Sequence, residues 1–514
     1  MKWMLSAPEL FYSAAALWFL VLSLATSSDP RREYLTALVL AALGIAVCMA
    51  ATGAEGFLFT RAYRVDLFSQ IFKVLLSLGL FLVVCISGDL GGVKERCNQE
   101  YFLLLFLCTL AMMLLVSANH LLAVYVSLEL SSYSLYVLVA LRRDPDLGLE
   151  AGLKYFLVGI VASAVMLFGM ALLHAAVPSL YLGDMVRVLP NMGKSPLVVA
   201  GLLLTLSGFF FKLAVFPFHY WAPDVYQGAP NQVAAYIATA SKVAAIAMIL
   251  RVAALGAGSA YLAQVLVGLA IISMTVGNLA AIVQKDLKRL FAYSTIAHAG
   301  YVLLGILAMN ESGRAAVIFY ALAVLLMKFT VFLVIVLVAS ERNGENLRIE
   351  DLAGLHKRSP MLALAMMVAL FGLAGIPPTI GFTGKFLIFM AIMEKGYFTL
   401  VLIAMVNVVI SLYYYLLVIK AAYLLEPEKE LPPFRVAPPH EPPLGRPHRN
   451  NAGRRIFPHL PHPTGRSRRP SPHGKRLDVS YCSRITAFGI ICFCSAGPAS
   501  VRIRFLCKLL GREI

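Results

Sequence analysis

The chain has 514 residues, of which 60% are hydrophobic and 14% are charged. A water-soluble domain carries roughly a quarter charged residues, so this chain has too little polar surface to cover itself in water, and a soluble globular enzyme is excluded. The formal net charge of +17 is uneven: residues 426–514 hold 16 Lys/Arg against 6 Asp/Glu, and the other 425 residues hold 28 against 21, so the body is a poor nucleic-acid surface.

Stretches of about 20 apolar residues, the length that crosses a bilayer as a helix, recur along most of the chain. A transmembrane barrel would alternate polar and apolar residues, and the run Tyr101–Val116 does not. The expected class is an all-α polytopic membrane protein embedded in lipid. Thirteen spans are expected, at 8–26, 35–54, 67–87, 101–117, 119–141, 153–177, 196–216, 231–255, 259–284, 290–309, 314–340, 360–393 (interrupted) and 397–425. The first run follows a single Lys and is itself followed by more spans, which argues against a cleaved signal peptide. With the N-terminus outside, inside loops hold 13 Lys/Arg and outside segments 7, the sense that the positive-inside rule favours.

Two spans are expected to be broken. Span seven carries Lys212 and then Pro217; span twelve carries Pro377 and Pro378, then Gly381 and Gly384, just before Lys385. Proline removes a backbone donor and clashes with the preceding turn, and unpaired backbone survives at membrane depth only beside protein or a wet cavity. Spans four to eight and nine to thirteen then form two five-helix units, each broken at its fourth helix. Five is odd, so the second unit is inverted relative to the first. Paired broken segments in corresponding halves point to an ion pathway; ordinary proline kinks are the bland reading. The expected division is 1–100 for the first three helices, 101–255 and 256–425 for the two units, and 426–514 for a basic tail.

Charges inside the spans carry the functional signal, because one near the bilayer centre costs at least about 2.5–3.5 kcal/mol. Glu129 lies mid-span in five, Lys212 in seven, Lys242 in eight, Lys385 after the second break, Lys154 at the opening of six and His298 in ten. An acid among several amines suits proton transfer: Glu129 beside Lys212 keeps that amine protonated, and moving the carboxylate away lets the proton pass to a neighbour such as Lys242. Histidine has the unperturbed pKa best placed for relaying protons near neutrality. Structural ion pairs are the alternative for the first four; Lys154 is also placed to snorkel to the interface, and His298 to act as a helix contact. Lys328 is mid-span and has no partner in this scheme. Asp286 reads as a solvated loop charge.

No Walker loop, dinucleotide-binding glycine pattern, haem histidine pair or iron–sulfur cysteine cluster occurs. The eight cysteines are scattered and read as small apolar side chains. Neither a metal nor a redox group is expected on this chain.

At these residues the sequence resembles a known family. The stretches 127–140 around Glu129, 150–156 around Lys154, 211–230 around Lys212, 288–301 around His298 and 374–386 around Lys385 appear in order. They resemble the N subunit of respiratory complex I, the proton-translocating NADH:quinone oxidoreductase, over about residues 5–425. The resemblance implies an antiporter-like fold of fourteen helices with two inverted five-helix repeats. It also implies a midplane proton path through a Glu–Lys pair in helices five and seven, a Lys in helix eight and a Lys in broken helix twelve. Glu129, Lys212, Lys242 and Lys385 match those places one by one. The implied partners are the other membrane subunits of the complex, in a bacterial inner membrane. NADH, FMN, iron–sulfur clusters and quinone belong to other subunits. A cation/proton antiporter subunit of Mrp type is the alternative. The tail departs from the pattern: 432–476 is rich in Pro, Arg and His and cannot bury enough apolar area to fold alone. A shifted reading frame after about residue 427, replacing helix fourteen, is the expectation.

Overall fold

The computed structural model describes residues 2–24, 29–94, 97–193, 195–256, 259–308, 310–342 and 344–427. The expected tail, its altered frame and a fourteenth helix all lie outside the described residues. Within them, twelve helices are long and apolar enough to cross a bilayer. The chain is a multi-span membrane protein, helical apart from one antiparallel hairpin, Gly56–Leu58 with Tyr63–Val65.

The first six spans are single helices: α1 (Ala7–Leu24), α2 (Pro30–Ala50), α3 (Leu67–Cys85), α4 (Asn98–Ser117), α5 (Leu121–Ala140) and α6 (Pro145–Ala176). Their starts follow local chemistry. Asp29 accepts from Arg31 N ahead of Pro30, Asp66 and Ser69 form a capping box, and Asp144 caps the first turn opened by Pro145; each satisfies backbone donors that the first turn leaves free. Proline fits the first helical position because its missing N–H has no partner there. The Asp144–Pro145 start moves span six eight residues upstream of the expected 153. Apolar periodicity alone had no reason to include the charged turn between them.

Span seven stops at Leu213. Its helix α7 (Pro196–Leu213) ends on Ala214 at φ 61°, ψ 44°, a turn follows, and α8 (Trp221–Gly228) resumes. Left-handed backbone is costly for a residue with a Cβ, so Ala214 is held there by its surroundings. Span twelve divides alike into α14 (Pro360–Ala374) and α15 (Ile380–Met393), capped by Gly375 at φ 86°. A third interruption was not foreseen: span eight is α9 (Asn231–Ala238) and α10 (Ala240–Ala253), meeting at Thr239 with φ −115°, ψ −89°. No proline or glycine marks that point, which is why the sequence hides it. The remaining spans are α11 (Ala260–Ile282), α12 (Leu287–Ala308), α13 (Glu311–Ser340) and α16 (Phe398–Leu424).

Burial sorts these helices. The span Asn231–Gly256 is wholly buried, α12 and α13 nearly so, while α1, α2, α6 and α16 expose most of their apolar windows, as helices facing lipid do. Consecutive helices pack in the same order in both halves: α4 on α5 and α6 on α7, then α11 on α12 and α13 on α14 and α15. The halves meet where α8 touches α12 and where α9 and α10 touch α13. Small residues permit the closest approaches. A Cβ at Gly169 would stand 2.4 Å from Thr205 N of α7, and one at Gly277 would stand 2.6 Å from Ala297 N of α12.

Gly169→Val is therefore expected to push α6 off α7 and lower the thermal midpoint of the purified protein by several degrees, consistent with an overpacking cost of about 1–3 kcal/mol. Gly183→Ala, where nothing lies within 4 Å, is expected to leave it unchanged.

Candidate functional site

Six charged or titratable side chains lie along the middle of the bundle, among them four lysines. Glu129 of α5 is 6% exposed and accepts a hydrogen bond from Ser163 Oγ of α6. Lys212, in the last turn of α7, is 1% exposed and donates from Nζ to Ser131 Oγ at 2.8 Å and Ser132 Oγ at 3.1 Å. Among the described residues no ion pair joins the carboxylate to the lysine: Glu129 is held by Ser163, and Lys212 by Ser131 and Ser132. The expected Glu129–Lys212 pair is thus open. The reason is helical geometry: Ser131 and Ser132 sit two and three residues beyond Glu129, about 3–4.5 Å along the axis, and the carboxylate is held toward α6 instead.

Lys242 of α10 donates to Lys212 O at 2.7 Å and lies 4.7 Å from the centre of the Trp221 ring. Lys385 of α15 donates to Leu373 O at 2.7 Å and Ala374 O at 3.1 Å and lies 4.8 Å from the Tyr301 ring centre. These acceptors share an origin. The last carbonyls of a helix have no intrahelical partner and carry the negative end of its dipole. Breaking spans seven and twelve places two such ends inside the bundle, and each receives a lysine ammonium. The aromatic face below each amine adds a further attraction. Pro217, Pro377 and Pro378 all lie in the connecting turns.

Lys328 of α13, which lacked a partner in the sequence, fills the space between. It is fully buried, donates to Ser294 Oγ at 2.6 Å and Phe291 O at 3.1 Å, and its helix packs against both α10, which carries Lys242, and α15, which carries Lys385. Ser294 Oγ is 2.6 Å from Tyr415 Oη, and Tyr415 is 3.2 Å from His298 Nε2. His298 Nδ1 is hydrogen-bonded to Tyr320. His298 in turn lies within electrostatic reach of Lys328 and Lys385. The order through the bundle is Glu129, Lys212, Lys242, Lys328, then His298 and Lys385. Lys328 was legible as a charge and not as a link, since its role depends on α13 crossing between the halves.

Lys154 is not brought into this row. Its side chain is 44% exposed and pairs with Glu150 at 2.7 Å and Asp224 at 2.9 Å; Asp224 also holds Arg289 at 2.6 Å. Lys154 thus braces α6 against α8 and α12. Because α6 begins at Pro145, Lys154 stands in its third turn rather than at its opening. Asp286, expected to be solvated, is partly buried: it accepts from Arg289 N at 3.0 Å and Gln227 Nε2 at 3.3 Å. Glu9, Glu33 and Lys73 are buried charges that escaped notice, and Arg142, Lys288 and Arg358, counted only as loop charges, are buried too. Lys73 follows Phe72 deep in an apolar span, and the rule that flagged Lys242 applies to it equally.

Comparison with known proteins shows the family. Residues 118–411 match the family described as NADH:quinone oxidoreductase/Mrp antiporter, transmembrane. NADH-quinone oxidoreductase subunit N 2 of Syntrophobacter fumaroxidans is 68% identical over 440 residues, 85% of this chain and 93% of that one. The chain belongs to this family. The corresponding subunit N of Nitrosomonas europaea is 39% identical over 78% of this chain and 83% of its own length. A chain of respiratory complex I from Thermus thermophilus superposes with a TM-score of 0.72 at 37% identity, covering 85% of this chain and 92% of that one. A chain of the Mrp complex from Dietzia sp. gives a TM-score of 0.80 at 22% identity, covering 99% of this chain and 97% of that one; at that identity the likeness is one of fold.

Exposed ion pairs contribute at most about 1 kcal/mol, so Lys154→Met is expected to move the thermal midpoint little. Lys328 hydrogen-bonds to neutral groups and has no ion-pair partner among the described residues, so Lys328→Met removes a charge whose burial is costly and strands no counter-charge; it is expected to hold or raise the midpoint, read by thermal scanning in detergent.

Proposed function

We propose that this chain is the N-type membrane subunit of a proton-translocating NADH:quinone oxidoreductase in a bacterial inner membrane, with its N-terminus outside. It moves protons along the buried row while other subunits hold NADH, FMN, iron–sulfur clusters and quinone and carry out the redox steps. Its partners are the neighbouring membrane subunits of that complex. The observation that carries the reading is the row itself: four buried lysines in sequence, with Glu129 at one end and His298 beside the other, in a chain 68% identical to a subunit N relative.

The chemistry follows from the geometry. An amine can move a proton only if it alternates between ammonium and neutral forms. Burial favours the neutral form, whereas a nearby carboxylate or carbonyl favours the charged one. Glu129 is close enough to act on Lys212 without locking it in a closed pair. A small approach of the carboxylate retains the proton on Lys212. A small retreat lets it pass toward Lys242, whose amine sits on the Lys212 carbonyl. The Coulomb term is steep at low dielectric, so sub-ångström shifts suffice. Lys328, Ser294, Tyr415 and His298 continue the line to the Lys385 side by hydrogen-bond exchange. The two units 101–255 and 256–425 act as inverted five-helix repeats, each bringing one broken helix end to the midplane, and residues 1–100 lie outside them. Moving one charge against 100 mV costs about 2.3 kcal/mol, supplied by electron transfer elsewhere in the complex.

Membrane vesicles bearing the assembled complex give the test. Glu129→Gln and Lys212→Met are expected to lower protons pumped per NADH oxidised at least fivefold, with NADH oxidation by an artificial acceptor retained. Unchanged pumping in both would reduce the row to a scaffold. Sodium-driven proton flux by the lone chain, without redox subunits, would favour the Mrp-type antiporter.

A further inference from the structure

A second buried acid–base pair lies outside the row, among the first three helices. Glu9, in the first turns of α1, is 7% exposed, and Lys73 of α3 is wholly buried; Lys73 Nζ stands 2.8 Å from Glu9 Oε1. Tyr63 of the hairpin donates to the same oxygen at 2.5 Å. The pair is poorly satisfied. Beyond this ion pair Lys73 Nζ has only the Tyr63 ring, 5.3 Å to its centre, and Glu9 Oε2 has no hydrogen-bond partner among the described residues. Beside it on α3, Gln70 is fully buried with both its amide nitrogen and oxygen unpartnered, and Ser241 Oγ, next to Lys242, is also unpartnered.

A pair whose task is to fasten α1 to α3 gains by saturating its hydrogen bonds, because a buried polar group left unpaired is destabilising. Unspent donors and acceptors suit a different task, the exchange of protons with mobile water. They also lie on a line. Ser77 is one turn beyond Lys73 on α3, about 6 Å along the axis, and is 2.7 Å from Tyr12 Oη of α1. The Tyr12 ring packs 5.9 Å from that of Phe106 on α4, and Tyr236 of α9 reaches the same stretch of α4, its hydroxyl 2.6 Å from Thr109 Oγ1 and 3.4 Å from Leu105 O. Cys108, the neighbour of Thr109, donates from Sγ to the backbone oxygen of Ser131 at 3.3 Å. Ser131 is the residue that receives the Lys212 amine.

We propose that Glu9, Lys73, Tyr12 and Tyr236 form a proton branch joining the membrane face at the α1 N-terminus to Lys212. The Lys73 ammonium passes a proton to a water at the Gln70–Ser77 level, and a proton entering from the membrane face by way of Glu9 replaces it. The Tyr12 and Tyr236 hydroxyls each accept one proton and release their own onward until Lys212 is protonated. No bond other than O–H and N–H is made or broken, and reversal carries a proton out. The branch rests on the proposed function, since it needs Lys212 to be a carrier.

The test uses the assembled complex in vesicles with Lys73→Met, Tyr12→Phe, Lys73→Arg and, as reference, Lys212→Met. Tyr12→Phe keeps the ring and the Glu9–Lys73 pair and loses one hydroxyl, so it decides the matter even where Lys73→Met does not assemble. The branch predicts that Tyr12→Phe and Lys73→Met each lower protons pumped per NADH at least twofold with little change in thermal midpoint, and that Lys73→Arg, which keeps the charge beside Glu9 but cannot release a proton, lowers it as well. Normal pumping in Tyr12→Phe, with Lys212→Met impaired, would overturn the branch and leave the row standing. Normal pumping in Lys212→Met as well would overturn the function on which both rest.

Discussion

A lysine ammonium inside a bilayer-spanning bundle needs negative partners that cannot be lost to solvent, and this chain provides them by breaking its own helices. The last turns of α7 and α14 end inside the protein, and the carbonyls of Lys212, Leu373 and Ala374 receive Lys242 and Lys385. A hydrogen bond to a charged group contributes about 1.5–3 kcal/mol, enough for one or two of them to offset the roughly 2.5–3.5 kcal/mol cost of a charge at midplane. Carbonyl dipoles also hold an amine less tightly than a carboxylate would. A proton bound this way can leave, which a saturated ion pair would prevent.

The same constraint explains the strain at Ala214. A residue with a Cβ occupies left-handed backbone where glycine would be at ease, one position after Leu213 and two after Lys212. Strained backbone of this kind gathers at functional sites and is held by surrounding packing; here Trp221 Nε1 donates to Phe211 O across the turn at 3.0 Å and fixes it. The second break uses Gly375 instead, where a Cβ would meet Lys385 Cδ at 3.1 Å. The two ends serve one purpose with different residues. The halves differ also in what surrounds their lysines: serines of one helix and a carboxylate near Lys212, a network of Ser294, Tyr415, His298 and Tyr320 near Lys328.

Much of this was legible in the order of residues. Apolar runs located the spans because hydrocarbon thickness sets their length, and proline marked two breaks because it removes a donor. Glu129, Lys212, Lys242 and Lys385 stood out because a charge is costly where they lie. What stayed hidden depends on distances between helices. Nothing around Thr239 marks a third interruption. Lys154 could not be told from a relay residue until Asp224 of α8 was seen beside it, and the Glu129–Lys212 gap turns on which side of α5 each side chain takes. Lys73 was readable by the same rule as its fellows and was passed over, while its tie to Glu9 joins residues 64 apart that only packing brings together.

The central claim is that the row is a wet, connected line and not a set of isolated anchors. An experimental structure of the assembled complex in a lipid disc, at a resolution that places individual waters, tests it most directly. The account predicts ordered waters bridging the Glu129–Ser163 carboxylate to Lys212 and linking Lys242, Lys328 and Lys385 through the Ser294–Tyr415–His298 network. Dry, apolar contact on both sides of Lys328, with each amine satisfied by its own carbonyls alone, would contradict it.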